Sequence, residues 1–174
     1  QHIEITRDIA GSFNHHFPNT FIIPDSDIDK EVMIVPGIDG EKMSKSHNNI
    51  IDIFLPDKQL RKQIMTIQTD STPLEEPKKT ASCNVYNIYK LIASPNQTNS
   101  LKEKYNSGNF GYGHAKEELF NLICDKYSTE RKRFNNLMEN KDIIEKELQI
   151  GAEKARLIAR DVLSRVRSNI GYKL

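Results

Sequence analysis

Hydrophobic residues recur along most of this chain at the three- and four-residue spacing of amphipathic helices. Ile5, Ile9 and Phe13 share one such face and predict a helix over residues 1–14. The same spacing predicts further helices at residues 57–67, 84–93, 100–105, 115–138 and 140–148, and from residue 151 onward. The chain is therefore predicted to be mostly α-helical.

Polar residues, glycines and prolines suggest where these helices begin and end. Ser100 and Glu103 form a candidate capping box for a short helix, and Asn140 is a candidate N-cap. Gly151 is expected to separate the last two helices. The break before the long helix at residues 115–138 is expected at three glycines, Gly108, Gly111 and Gly113.

Strand signals are confined to the first third of the chain. Four of the five residues at 31–35 are apolar, which predicts a buried strand, and residues 21–23 suit a strand or an extended connector. Pro36-Gly37 ends the predicted strand, so the loop that follows it lies where open α/β sheets place their ligand sites. We predict a small α/β part at residues 1–56 and an all-helical region at residues 57–174.

Composition narrows the class of protein. With 37% hydrophobic and 28% charged residues, the chain of 174 residues resembles a soluble globular protein, and its apolar runs are too short to cross a bilayer. Cys83 and Cys124 lack neighbours at metal-ligand spacing, so we interpret them as small buried side chains in a reducing, cytoplasmic protein and expect no metal site. Helical periodicity begins at once at Gln1, which is not a Met, so we expect a piece of a longer protein.

The net charge of +1 does not indicate a nucleic-acid partner, but the charge is unevenly distributed. Residues 130–174 contain eleven Lys or Arg and seven Asp or Glu, whereas residues 1–129 contain fourteen and seventeen. This asymmetry permits an RNA contact in the C-terminal part, although a solvated helix face explains any single basic residue equally simply. The candidate tRNA contacts are Arg131, Lys132, Arg133, Arg156, Arg160 and Arg165.

One loop carries recognisable chemistry. The string KMSKS at residues 42–46 follows two glycines and places two lysines three residues apart, with hydroxyls between and after them. Lysine ammonium groups on a mobile loop can stabilise the charge that builds on a departing pyrophosphate. A solvated Lys/Ser loop is the simpler alternative for an arbitrary lysine pair, but this whole string arises by chance in such a chain only on the order of once in ten thousand.

Residues 37–46 resemble the second signature of the tryptophanyl and tyrosyl class I aminoacyl-tRNA synthetases. Other segments resemble the tryptophanyl members in particular. These are residues 1–8 with Phe13-Asn14, then Thr69-Asp70, residues 111–116 and residues 151–156. The resemblance spans nearly the whole chain and implies the end of a Rossmann-like catalytic domain, followed by a helical anticodon-recognition region whose last helix packs back on that domain.

The resemblance also implies substrates, partners and roles for residues. The family activates tryptophan with Mg-ATP to tryptophanyl-adenylate, transfers it to tRNA(Trp), and is homodimeric. Its first signature, His-x-Gly-His, is absent from this sequence, so we expect these residues alone to be inactive. Gly113-His114 does not replace it and is interpreted as a loop or N-cap element. The implied site comprises Lys42 and Lys45 on the ATP phosphates, Met43 with its backbone near adenine, and Ser44 and Ser46 shaping the loop.

Asn48 stands where the family often has Gly, and His47 where it often has Tyr, while Asn49 matches a common family Asn. Two alternatives remain open at this point. One is a noncatalytic tRNA-binding or regulatory module that has kept the fold. The other is a tyrosyl-type synthetase.

Overall fold

The computed structural model describes residues 1–27 and 34–172. Within these ranges the chain is mostly helical, as predicted, with an isolated antiparallel bridge between Pro36 and Lys42 in place of named strands. The helices are α1 His2–His16, α2 Asp57–Met65, α3 Asn84–Ile92, α4 Pro95–Ser107, α5 Tyr112–Lys126, α6 Ser128–Glu139 and α7 Lys141–Asn169.

Most of the predicted strand at residues 31–35 lies outside the described residues, since these resume at Ile34. Ile34 and Val35 are not in a strand. The Pro36–Lys42 bridge beside them is isolated, so it does not extend into a ladder among the described residues. Residues 21–23 are also irregular, which agrees with the extended connector rather than with a strand.

Two compact units divide the chain: residues 30–136, and residues 1–29 together with 137–174. The predicted domain boundary at residues 56/57 remains a prediction. In the unit of residues 30–136, helices α2 to α5 bury their apolar faces in a common core. Its fully buried members include Leu60, Ile64, Val85, Leu101, Tyr105, Ala115 and Leu119.

Helix α4 begins earlier than predicted. Ser94 is its N-cap, Pro95 occupies the first turn, and the Ser94 hydroxyl and Gln97 side chain form a reciprocal capping box. The predicted capping box at Ser100 and Glu103 is therefore wrong, because both residues lie inside the helix. Ser94-Pro95 ends one helix and also begins the next.

Two other boundaries were also predicted wrongly. The long helix predicted at residues 115–138 is interrupted at Tyr127, which caps α5 with φ −104° and ψ 20°. The two helices predicted at residues 140–148 and from 151 onward are one continuous helix, α7, with Asn140 at its N-cap position. Gly151 lies exposed in its middle, where a lone glycine costs only about 1 kcal/mol.

In the unit of residues 1–29 and 137–174, polar contacts attach the segment that follows α1 to α1 itself and to α7. The Asn14 amide donates to Phe21 O at 2.8 Å and accepts from Phe21 N at 2.9 Å, as a neighbouring strand would. The buried Thr20 accepts from Asn169 of α7 at 2.6 Å. Among the described residues, no helix is long and apolar enough to span a membrane.

Candidate functional site

The KMSKS loop is folded back on itself by backbone hydrogen bonds. Met43 N donates to Val35 O at 2.8 Å, and Gly37 N donates to Glu41 O at 2.8 Å. Gly40 closes the turn between these arms with φ +87°, a left-handed conformation that glycine adopts without strain. The two arms of the loop are thus paired at their base.

A buried asparagine joins the two arms. The Asn49 side chain is 1% exposed, and its amide nitrogen donates to Asp39 Oδ1 at 2.8 Å and to Lys42 O at 3.1 Å. Its Oδ1 accepts from Ser44 N at 2.7 Å, and its backbone O accepts from Ile38 N at 2.9 Å. Gly37 must be a glycine, since a Cβ there would lie 2.5 Å from Asn49 Cγ and from Asn49 O.

Asp39 completes this arrangement as the acceptor of the Asn49 amide. The hydrogen bond from Asn49 is the main cause that lowers the pKa of the Asp39 carboxyl below its usual value. A further hydrogen bond, from Glu41 N at 3.1 Å, acts in the same direction. The carboxylate therefore stays ionised at neutral pH and favours the amide orientation in which nitrogen faces Asp39.

The five motif residues lie together on this scaffold. Lys42 and Lys45 are exposed, and neither forms a salt bridge within the described parts of the chain. The Ser44 and Ser46 hydroxyls are 2.8 Å apart and hydrogen-bonded to each other. Two ammonium groups on a fixed backbone turn, available to solvent, suit the binding of a polyphosphate.

Asn48 follows the motif with φ +53°. Non-glycine residues rarely adopt a positive φ, and asparagine is among the few that do so readily. Asn48 can therefore stand where the family often has Gly without changing the course of the backbone. Asn48 N donates to Lys45 O at 3.2 Å, which closes the turn after the motif.

The base of the loop is anchored to the helical core of its unit. Gln68 N, just after α2, donates to Ile38 O at 2.7 Å, and the Asn84 amide approaches the same carbonyl at 3.4 Å. Further along, Arg131 of α6 donates to Ile53 O and pairs with Asp57. The segment on either side of the motif is thus tied to α2, α3 and α6.

Met43 faces an open apolar cleft of about 320 Å³. None of the described residues that line it is charged, so this side of the loop suits a flat or apolar group rather than a phosphate. The other lining residues are Val35, Ile51, Ile53, Ile88, Leu91, Ile92, Ile123 and Tyr127.

The basic candidates of the C-terminal part differ in their surroundings. Three of them have partners inside the protein: Arg131 as described above, Arg156 with Glu153, and Arg165 with Thr20 O. Lys132 and Arg133 are exposed on α6, and Arg160 is exposed on α7. Only these last three have no intramolecular contact among the interactions found in the described residues.

His114 lies in the first turn of α5, where its Nδ1 accepts from Gly111 N at 3.4 Å. This agrees with the N-cap interpretation. Neither Asp39 nor the role of Asn49 was identified from the sequence. A polar residue directly before Ile50 and Ile51 was the available signal, because a buried amide next to apolar residues must find hydrogen-bond partners.

The sequence is similar to curated tryptophan–tRNA ligases over almost its whole length. The chain is 45% identical over 172 residues to the tryptophan–tRNA ligase of Fusobacterium nucleatum, covering 98% of this chain and 53% of that protein. The corresponding ligase of Campylobacter jejuni is 41% identical over 171 residues, with 98% of this chain and 54% of that protein covered. The chain spans about half the length of the curated relatives that it matches.

The fold is similar to that of a solved structure over the same part of the chain. A crystal structure of tryptophanyl-tRNA synthetase from Campylobacter jejuni, complexed with ADP and tryptophan, has a TM-score of 0.84 and 40% sequence identity, covering 98% of this chain and 53% of that one. The family described as tRNA synthetases class I (W and Y) matches residues 1–127, which include the whole KMSKS loop. The chain therefore belongs to the family of class I tRNA synthetases for tryptophan and tyrosine.

Proposed function

We propose that the complete protein is a tryptophan–tRNA ligase, which activates tryptophan with ATP and transfers it to tRNA(Trp). The observation that carries this proposal is the KMSKS loop with two exposed lysines that form no salt bridge with any described residue, in a chain 45% identical to a tryptophan–tRNA ligase. The relative crystallised with ADP and tryptophan supports the use of a nucleotide and of this amino acid. Because the chain spans half of such relatives, we expect adenylate formation from the complete protein rather than from these residues alone.

The proposed chemistry begins with attack of the tryptophan carboxylate on the α-phosphate of ATP. Pyrophosphate leaves, and tryptophanyl-adenylate remains for transfer to the terminal ribose of the tRNA. Lys42 and Lys45 hold the phosphates and stabilise the negative charge that grows on the leaving group. Mg²⁺ arrives with ATP as part of the substrate. Little covalent chemistry is left to this part of the protein, so its contribution is positioning and electrostatic stabilisation.

The remaining motif residues have supporting roles. Met43 places its backbone near the adenine, consistent with the apolar cleft beside it. Ser44 and Ser46, hydrogen-bonded to each other, shape the turn between the two lysines.

We further propose that residues 1–56 close a Rossmann-like catalytic domain and that residues 57–174 form the anticodon-recognition region, with α7 packing back on the catalytic domain. Lys132, Arg133 and Arg160 are the preferred candidates for tRNA contacts, because the other three basic candidates already have intramolecular partners. The protein would act in the cytoplasm as a homodimer.

The test is amino-acid-dependent exchange of labelled pyrophosphate into ATP by the complete protein. Exchange that requires tryptophan is the expected result. Exchange with tyrosine instead would favour the tyrosyl-type alternative. If neither amino acid supports exchange while the protein still binds tRNA, the noncatalytic module is the better description.

A further inference from the structure

We propose that Asn49 is a positioning residue for the KMSKS lysines, and that Asp39 orients its amide. The inference rests on the proposed function, because the lysines are taken to act on ATP. Asn49 and Asp39 both lie outside the five-residue motif, and their hydrogen bonds hold the backbone of the loop in its observed turn.

The Asn49 side chain reaches the motif itself. Its two motif contacts are Lys42 O and Ser44 N, the backbone groups on either side of Met43. Fixing both groups fixes the peptide units that flank Met43, and with them the direction in which the Lys42 stem leaves the backbone. Lys45 lies one peptide unit beyond this fixed stretch, and Asn48 N, which donates to Lys45 O at 3.2 Å, holds it from the other side. An apolar side chain buried for packing alone would leave both backbone groups without these bonds.

The lysine side chains cannot align themselves. Both are exposed, and no salt bridge holds either of them within the described residues. A long, free lysine loses much conformational entropy when it binds a phosphate, so a fixed backbone origin is the part of its alignment that the protein can provide in advance. Asn49 provides this fixed backbone origin through its hydrogen bonds to Lys42 O and Ser44 N.

Asp39 orients the Asn49 amide. Both carboxylate oxygens lie within hydrogen-bonding distance of Asn49 Nδ2, at 2.8 and 3.1 Å. A flipped amide would turn its oxygen towards this carboxylate and its nitrogen towards Ser44 N. The amide NH2 would then lose Asp39 as its acceptor, and Ser44 N would lose the amide oxygen as its acceptor. Asp39 therefore selects the one amide orientation that serves both Lys42 O and Ser44 N.

The experiment measures tryptophan-dependent pyrophosphate exchange by the complete protein carrying Asn49→Ala. Misplacing reacting groups by about 1 Å can cost about 100-fold in rate, so we expect kcat to fall on the order of 10- to 100-fold, with the KM for tryptophan unchanged. Asn106→Ala is the matched control, because Asn106 is an exposed asparagine of α4 away from the loop, and wild-type kcat is expected.

A combined variant separates positioning from general stability. If Asn49 acts through the two lysines, Asn49→Ala should add less than about three-fold to the loss already caused by Lys42→Ala and Lys45→Ala together, because residues that act as a unit are not additive. Losses that multiply in the combined variant would overturn the proposal. So would an Asn49→Ala kcat within about two-fold of wild type, since that is the range expected of an uninvolved surface site.

If Asn49→Ala fails to fold, a second pair of variants, in which Asn49 and Asp39 exchange their side chains, tests the same contacts. Asn49→Asp keeps the shape and the acceptor for Ser44 N but places two carboxylates together, so we expect a similar loss of exchange. Adding Asp39→Asn restores a carboxylate–amide pair but leaves Lys42 O without its donor. It should therefore recover part of the lost rate, about ten-fold, since one hydrogen bond to a charged group corresponds to roughly that factor. Absence of recovery would contradict the role of Asp39. Absence of any exchange by the wild-type protein would count against the proposed function instead.

Discussion

Gly37→Ala tests the close packing of the loop most simply, because it adds a single methyl group. The new Cβ would lie 2.5 Å from Asn49 Cγ and Asn49 O, whereas ordinary contacts begin at 3.4 Å. Something must therefore move by about 0.9 Å, the difference between these two distances. Asn49 cannot yield freely, because its side chain and its backbone O are both hydrogen-bonded to other parts of the loop.

The cost follows from what that movement breaks. Overpacking costs about 1–3 kcal/mol, and weakening the bonds from Ser44 N and Ile38 N adds roughly 0.5–1.5 kcal/mol each. We expect the loop to lose about 2–6 kcal/mol of local stability, which corresponds to roughly 30-fold or more in its opening equilibrium.

Hydrogen–deuterium exchange of the complete protein measures this opening directly. Peptides covering residues 38–49 should exchange roughly 30-fold faster or more in Gly37→Ala, with the largest change at Ile38 and Ser44, whose N–H groups lose their acceptors. Gly113→Ala is the matched control, because an added Cβ there meets nothing within 4 Å. Unchanged protection of this segment in Gly37→Ala would refute the described packing of Asn49 against Gly37.

Three further predictions concern stability and its dependence on pH. Lys78→Met should destabilise the complete protein by about 3 kcal/mol, because the buried Lys78 ammonium donates to three carbonyls and its loss leaves them unpaired. A lower midpoint of thermal unfolding is the expected result, and an unchanged midpoint would contradict it. Ser94→Ala should lower the midpoint by the equivalent of about 1 kcal/mol through loss of the capping box, whereas no change would show that α4 does not depend on it. The pKa of the Asp39 carboxyl is lower in the folded state than its unfolded value near 4. The stability that the ionised carboxylate contributes is therefore complete above the unfolded pKa and is lost as pH falls through the folded pKa. The stability advantage of wild type over Asp39→Asn, measured by thermal unfolding, should thus be larger at pH 6 than at pH 3, and an advantage that grows on acidification would contradict the shift.

The sequence was informative wherever one apolar face decides the structure. Ile5, Ile9 and Phe13 placed α1 correctly, and Leu60 and Ile64 placed α2, because a regular stripe is sufficient to specify an amphipathic helix. Helix ends were less predictable. Tyr127 interrupts a continuous stripe without glycine or proline, and Gly151 fails to interrupt one, since tertiary context outweighs differences of about 1 kcal/mol in propensity.

The candidate site was predictable as a motif but not as a structure. KMSKS is contiguous, so its two lysines and two serines could be identified from the sequence alone. The network beneath it joins Asp39, Lys42, Ser44 and Asn49 through the amide of one buried side chain. Such a network depends on where the loop turns, and spacing along the chain does not contain that information.

We propose that this chain provides the phosphate-binding lysines of a tryptophan–tRNA ligase. The most direct test of this proposal is tryptophan-dependent pyrophosphate exchange by the complete protein with Lys45→Ala, beside Lys102→Ala, which removes an exposed lysine of α4. Losing one group that stabilises developing charge typically costs about 100-fold or more in kcat, so we expect that loss in Lys45→Ala and wild-type exchange in Lys102→Ala. Full exchange by Lys45→Ala would show that Lys45 does not stabilise the departing pyrophosphate.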